Sequence, residues 1–272
     1  MLFLGNTWVK KGIGFIFASL ICMNGAFAWI TERPVHQTVS ASSVMASLEQ
    51  RVVAFVHGTV ATIQYTAYKL GGQRFDPQKG VYVVDCSSFV DHVLRAVCPQ
   101  AYSSLVNSSG TYNPTTKDYY HFFNQLSPEP HHYWSKVGAV KELQPGDILV
   151  FRSQPTYRLA HYSRKRHHRK VSAEGAGHVM IVMSKPIFDT DSFEVQVADS
   201  ASAGHSDDTR MPHESGIGIG TLLLKVNLKT GQPYAYAWKM DSYFKNVKFA
   251  MARPVDMTAL TEQVGDDQTY TD

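Results

Sequence analysis

The chain is short of cysteine, of charge and of long apolar runs. Three cysteines in 272 residues cannot build the disulfide framework of a small secreted domain. Charged side chains make up 18% of the sequence, and cations exceed acids only slightly, which argues against a nucleic-acid-binding protein. No internal repeat is visible, so a solenoid or propeller is excluded. Apart from the first residues, no segment is apolar enough to span a bilayer.

The beginning of the chain carries a targeting pattern. Lys10 and Lys11 precede an apolar run from Ile13 to Cys22, and Ala26-Phe27-Ala28 places small residues where a signal peptidase cuts. The run is broken by glycines and is too short for a stable span. Nor do Ser19-Leu20-Ile21 fit lipid attachment at Cys22. Residues 1–28 therefore read as a signal peptide cleaved after Ala28, which implies an exported, periplasmic or secreted protein. Residues 29–42, with Pro34 and Thr38, read as an extended leader. Residues 43–255 read as one domain, and 256–272, acidic and without Lys or Arg, as a loose tail.

Helical spacing comes first along the domain. Val44, Leu48, Val52, Val56, Val60 and Ile63 predict an amphipathic helix over 43–68, ended by Gly71-Gly72. A second helix is predicted from Asp85, since Phe89, Val90, Val93, Leu94 and Val97 share one face and Pro99 stops the run. Residues 100–140 give no clear pattern. Strand-like runs follow at 148–151, 178–183, 193–198, 221–226 and 248–252, bounded by turns such as Leu143-Gln144-Pro145-Gly146-Asp147. Helices followed by antiparallel strands make an α+β domain.

Between Tyr157 and Lys170 lies a basic insertion of Arg158, Arg164, Lys165, Arg166, Arg169 and Lys170 without an acid. It is either a solvated loop or a contact for an anionic surface. His161, His167 and His168 lie within it at no regular metal-ligand spacing, and no metal or organic cofactor is expected.

With Cys22 lost, Cys86 and Cys98 remain. On one helix they would stand about 18 Å apart, too far for a disulfide. In Val84-Asp85-Cys86-Ser87-Ser88, Asp85 is a natural N-cap and Cys86 opens the first turn, where the helix dipole favours a thiolate. A nucleophilic cysteine also needs a base. His178 qualifies, because it opens an apolar strand directly after the flexible Gly175-Ala176-Gly177. A base in turn needs an orienting group, and Asp199, ending the following strand, lies beside His178 if the two strands pair antiparallel. Each residue also has an ordinary structural reading: a packed cysteine, a surface histidine, a strand-ending aspartate.

Four ordered segments carry a resemblance. Tyr68-Lys69-Leu70-Gly71-Gly72, Asp85-Cys86-Ser87-Ser88-Phe89-Val90, Leu143-Gln144-Pro145-Gly146-Asp147-Ile148-Leu149-Val150-Phe151 and Gly177-His178-Val179-Met180-Ile181-Val182 together resemble the NlpC family of papain-like cell-wall cysteine peptidases. The likeness implies a papain-like core, N-terminal helices packed on a C-terminal antiparallel sheet. It also implies Cys86 as nucleophile, His178 as base, Tyr68 with its hydroxyl near the oxyanion and Asp147 as an architectural residue. The third catalytic position, commonly His, Asn or Gln in that family, matches Asp199 here. Cys86 and His178 are 92 positions apart, more than compact members need, with insertions near 100–140 and 152–176. The implied substrate is an amide bond in peptidoglycan stem peptides. Alternatives are a secreted transglutaminase, deamidase or amidase acting on proteins, and a catalytically idle wall-binding module. Circularly permuted relatives, including lipid acyltransferases, place His before Cys, and the order here is the reverse. A segment His205-Ser206-Asp207-Asp208-Thr209-Arg210 before Gly216-Ile217-Gly218-Ile219-Gly220 is foreign to the minimal pattern, and reads either as cleft lining or as a plain loop.

Overall fold

A computed structural model describes residues 46–153 and 177–257. The expected signal peptide and leader, the basic insertion with its histidines, and all of the tail beyond residue 257 lie outside the described residues.

The first helix is shorter than its apolar spacing suggests. Helix α1 runs Leu48–Ala61, opened by a capping box in which Ser47 Oγ accepts from the Gln50 amide and the Gln50 side chain accepts from the Ser47 amide. The predicted continuation to residue 68 is instead a strand. Tyr65–Tyr68 (β1) pairs in parallel with Val81–Val84 (β3), which pairs antiparallel with Gln73–Asp76 (β2). The Gln64 and Tyr65 amides both donate to the Gly80 carbonyl, so the β-prone Tyr-Thr-Ala-Tyr stretch is taken by the neighbouring strand. Gly71-Gly72 thus lies in the link from β1 to β2, which flank β3 on opposite sides, with Gly71 at φ 68°.

Helix α2 is Cys86–Val97, as its periodicity requires. Pro99 does stop it, and also occupies the first position of α3, Pro99–Ser109, where its missing N–H costs nothing. The segment without a legible pattern holds this helix, α4 at Thr116–Gln125 and strand β4 at Trp134–Lys136. Their aromatics pack inward, with Tyr119, Phe123 and Trp134 fully buried and the Trp134 indole donating to the Ala101 carbonyl at 2.8 Å.

Strands β5 (Ile148–Ser153), β6 (Gly177–Val182), β7 (Ile187–Asp189), β8 (Ser192–Ala201), β9 (Gly216–Val226), β10 (Pro233–Ala237) and β11 (Lys245–Pro254) complete the chain. The antiparallel order β10-β9-β8-β6-β5-β11 closes on itself through a β10–β11 pairing. The domain is therefore α+β, and its antiparallel sheet closes into a six-stranded barrel, which differs from the papain-like core that the resemblance implies. Closure explains the continuous apolar runs, because both faces are covered. Ile148, Val150, Val179, Ile181 and Ala198 face the helices. Leu149, Phe151, Met180, Val182, Val195 and Val197 fill the barrel interior. Each such aliphatic side chain contributes about 1.5–3 kcal/mol by leaving water.

Asp147, in the Pro-Gly-Asp turn before β5, is almost wholly buried. It accepts from the Gln144 amide at 2.8 Å and from Arg253 Nε and Nη2 at 2.7 and 2.9 Å. That fork ties the turn to the end of β11, an architectural job.

Candidate active site

Three elements converge on one end of the barrel. Asp85 caps α2 with Oδ1, which accepts from the Ser88 amide at 2.8 Å and the Ser87 hydroxyl at 3.1 Å, while Oδ2 accepts from the Gly71 amide at 2.8 Å. The cap fixes Cys86 as the first helical residue and anchors the loop after Tyr68 beside it. Cys86 is 5% exposed, and neither it nor Cys98 is bridged. Burial pushes the Cys98 thiol up to about 12, so it is an inert packing residue.

His178 stands two residues before Met180 on β6, and Asp199 two after Val197 on β8, so both fall on the barrel-interior side of their strands. Backbone pairing of β6 with β8 covers Ile181 with Ala198 and Val182 with Val197. Beyond that, side chains join the strands: His178 Nε2 lies 2.6 Å from Asp199 Oδ2. The other imidazole nitrogen is left for Cys86, with which the ring interacts by both charge and hydrogen bonding. Burial works against a charged ring, yet Cys86 and Asp199 outweigh it and lift His178 to about 10. The arrangement therefore favours a charged imidazole beside Cys86.

Asp199 is fully buried. Burial opposes its charge, but the imidazoles of His205 and His178 hold the carboxyl below the usual carboxylate range. Ser200, its neighbour, donates from Oγ to the Val84 carbonyl at 2.8 Å, and so links the acid's strand to the backbone leading into Cys86.

Tyr68 ends β1, where its amide donates to Ser215 Oγ at 3.2 Å. It is half-buried, and burial together with the nearby Cys86 and Asp85 raises its hydroxyl above the ordinary value. Tyr68 and His178 share a groove of about 410 Å³ with Tyr236, Trp238, Lys239 and Lys245. Among the described residues, no Asp or Glu lines it. All four site residues named from the sequence thus meet: Cys86, His178 and Asp199 in a chain of contacts, Tyr68 at the groove beside them.

Sequence reasoning missed the supporting shell. His205 and Arg210 pack against Asp199, Asp208 pairs with Arg210, and Trp238 stands edge-on to His178 with centroids 5.2 Å apart and 4.6 Å from the His205 ring. The available signal was the alternation of Gly216, Gly218 and Gly220. A Cβ at Gly218 would come 2.5 Å from Arg210 Nε, and one at Gly220 would come 2.8 Å from both Asp208 Oδ2 and His205 Cβ. Those glycines make room for the 205–210 segment, while Ile217 and Ile219 serve the core.

No protein-family model, curated protein or solved structure matches the chain. Its function rests on the geometry of the site. Among the described residues no group of His, Cys, Asp and Glu is arranged to hold a metal ion, and no helix is long and apolar enough to cross a membrane.

Proposed function

We propose that this chain is an exported cysteine peptidase or amidase of the NlpC type with a papain-like catalytic arrangement, hydrolysing an amide bond in peptidoglycan stem peptides. One observation carries the reading: a cysteine on the first turn of a helix interacts with a groove-lining histidine that is pinned by a buried carboxylate, although the two are 92 positions apart. Structural packing does not require a thiol, an imidazole and a carboxylate in that order.

The chemistry uses only these groups. The Cys86 thiolate attacks the amide carbonyl carbon, and the carbonyl π electrons move to oxygen. The helix N-terminus, including the Cys86 N–H, and the Tyr68 hydroxyl stabilise that oxyanion. His178 gives its proton to the departing amine as the C–N bond breaks, leaving a thioester. It then takes a proton from water, whose oxygen attacks the thioester, and Cys86 leaves as the thiolate. Asp199 keeps the imidazolium oriented and compensated throughout. A groove offering Lys239, Lys245, Tyr236 and Trp238 suits a peptide that carries carboxylates, as stem peptides do.

Digestion of purified peptidoglycan by the protein and by Cys86→Ala, read by mass spectrometry, tests this. Cys86-dependent release of muropeptides is the expected result. No release by a folded protein whose Cys86 reacts with iodoacetamide would remove the wall substrate. It would favour the second reading that a carboxylate third member suggests, a secreted transglutaminase or deamidase acting on protein amides. An unreactive Cys86 would leave a wall-binding module.

A further inference from the structure

Two imidazoles share one carboxylate oxygen. Asp199 Oδ2 is 2.6 Å from His178 Nε2 and 2.9 Å from His205 Nε2, and the side chains of Asp199 and His205 are entirely out of solvent. The two rings differ in what the second nitrogen meets. For His178 it is Cys86. For His205 it is nothing: Nδ1 is buried and has no hydrogen-bond partner among the described residues. A charged imidazole donates from both nitrogens, so an added proton finds an acceptor at each nitrogen only on His178. His205 is left with one hydrogen-bond contact, through Nε2, to Asp199.

The other oxygen meets a cation. Arg210 Nη2 stands 3.0 Å from Asp199 Oδ1 while directing its hydrogen bond to Asp208 Oδ2 at 2.6 Å, so Oδ1 is paired by charge without an aligned hydrogen bond. The guanidinium has little freedom to leave. Its Nε donates to Asp208 Oδ1 at 2.8 Å and its Nη1 to the Gly216 carbonyl at 2.8 Å, and Asp208 is itself held by the amides of His205 and Arg210. The segment packs where Gly218 and Gly220 lack side chains. Asp199 is thus faced by His178 from β6 and by His205 and Arg210 from the segment before β9, with Asp208 behind Arg210.

A fully buried carboxylate without such company takes up a proton near neutrality. Once protonated, it could no longer stabilise an imidazolium. We propose that Arg210 and His205 are positioning residues for the Cys86–His178 pair: Arg210 keeps Asp199 ionised inside the protein, and His205 holds the shared oxygen Oδ2 toward His178. The proposal rests on the catalytic reading of that pair, but not on the identity of the substrate.

Alkylation of Cys86 by iodoacetamide, followed by mass spectrometry across about pH 5–9, reads the thiolate without any substrate. The full-length protein is used throughout, with circular dichroism and a thermal melt for each variant. The unaltered protein is expected to react at a nearly constant rate down to the acid end. Arg210→Gln is expected to lose at least about tenfold of that rate between the alkaline and acid ends, since Asp199 gains a proton there, and Arg210→Lys to retain most of it. His205→Leu is expected to shift the acid limb upward by about one pH unit, with His205→Gln, which keeps an N–H donor, restoring it. Asp91→Asn, outside this cluster, is the unaffected control. Should Arg210→Gln fail to fold, the His205 pair decides. Folded variants that are less stable but keep the unaltered alkylation profile would show a purely structural cluster and overturn the proposal. Unreactive Cys86 in the unaltered protein would overturn both this and the catalytic reading, whereas reactive Cys86 without wall cleavage would overturn only the substrate.

Discussion

Among the buried carboxylates of this domain, Asp91 and Asp199 behave in opposite ways. Asp91, on the nucleophile helix, is 1% exposed and accepts one hydrogen bond, from the Tyr119 hydroxyl at 2.7 Å, while its Oδ2 has no hydrogen-bond partner among the described residues. Burial dominates and pushes it up to about 7. Asp199, on the base's side of the site, is buried just as deeply but meets two imidazoles and a guanidinium, and stays below the ordinary range. Burial alone does not decide the charge of an acid; its companions do. The same interior therefore holds one acid that keeps its proton far above the ordinary carboxylate range and one held below it.

Exchange of each acid for its amide tests the comparison most severely. Asp199→Asn is expected to lower kcat for amide hydrolysis by about 10³–10⁴-fold, because an amide cannot compensate an imidazolium. Asp91→Asn is expected to stay within about threefold. A similar loss for both in steady-state assays would mean that the acids differ in surroundings and not in role.

The pH dependence of stability separates them next. Asp91 binds its proton more tightly folded than unfolded, so its charging destabilises the fold as pH rises from the ordinary carboxylate value of 3.8 through about 7. The loss amounts to a few kcal/mol, about 4 at most. Asp91→Asn is expected to flatten that slope in urea titrations and to stabilise the protein at pH 8. Asp199 has the reverse sign: its stabilisation is present above the unfolded carboxylate value and is lost only as pH falls below the ordinary range. His178, raised to about 10, stabilises fully below about 6.5 and loses that contribution as pH rises through 10, which places a second decline above the first.

The smallest effect belongs to exposed charge. Lys239 and Lys245 line the groove from solvent. Replacing both with Ala is expected to raise KM for a carboxylate-bearing peptide by several-fold at low salt, with kcat nearly unchanged. A fall in kcat of the size seen for Asp199→Asn would place these lysines against the reacting atoms.

Much of this was legible beforehand because periodicity reports burial. Val81–Val84, Ile148 onward, the strand opened by His178, and the strands through Val195, Leu222 and Phe249 follow from apolar runs alone, and Asp85-Cys86 follows from capping chemistry. Tyr65–Tyr68 was read as helix because its apolar spacing continues that of α1, whereas pairing with Val81–Val84 is a long-range event that spacing cannot report. Barrel closure was hidden for a similar reason. Its closing strand begins at Pro233 and pairs with β11 at Ala235–Asn246 and Tyr236–Lys245 alone. The Asp199 companions were illegible because His205, Asp208 and Arg210 are polar and look like solvent-exposed loop until they satisfy one another inside the protein.

Barrel closure also sets a time order. The cysteine is made early, but its base, the acid and the arginine follow 92, 113 and 124 positions later, and the ring of strands waits for Lys245–Pro254. Contacts so distant along the chain form late and together. On the proposed function, a chain still being synthesised would carry Cys86 without its partners, and would become reactive only when its last strand arrives.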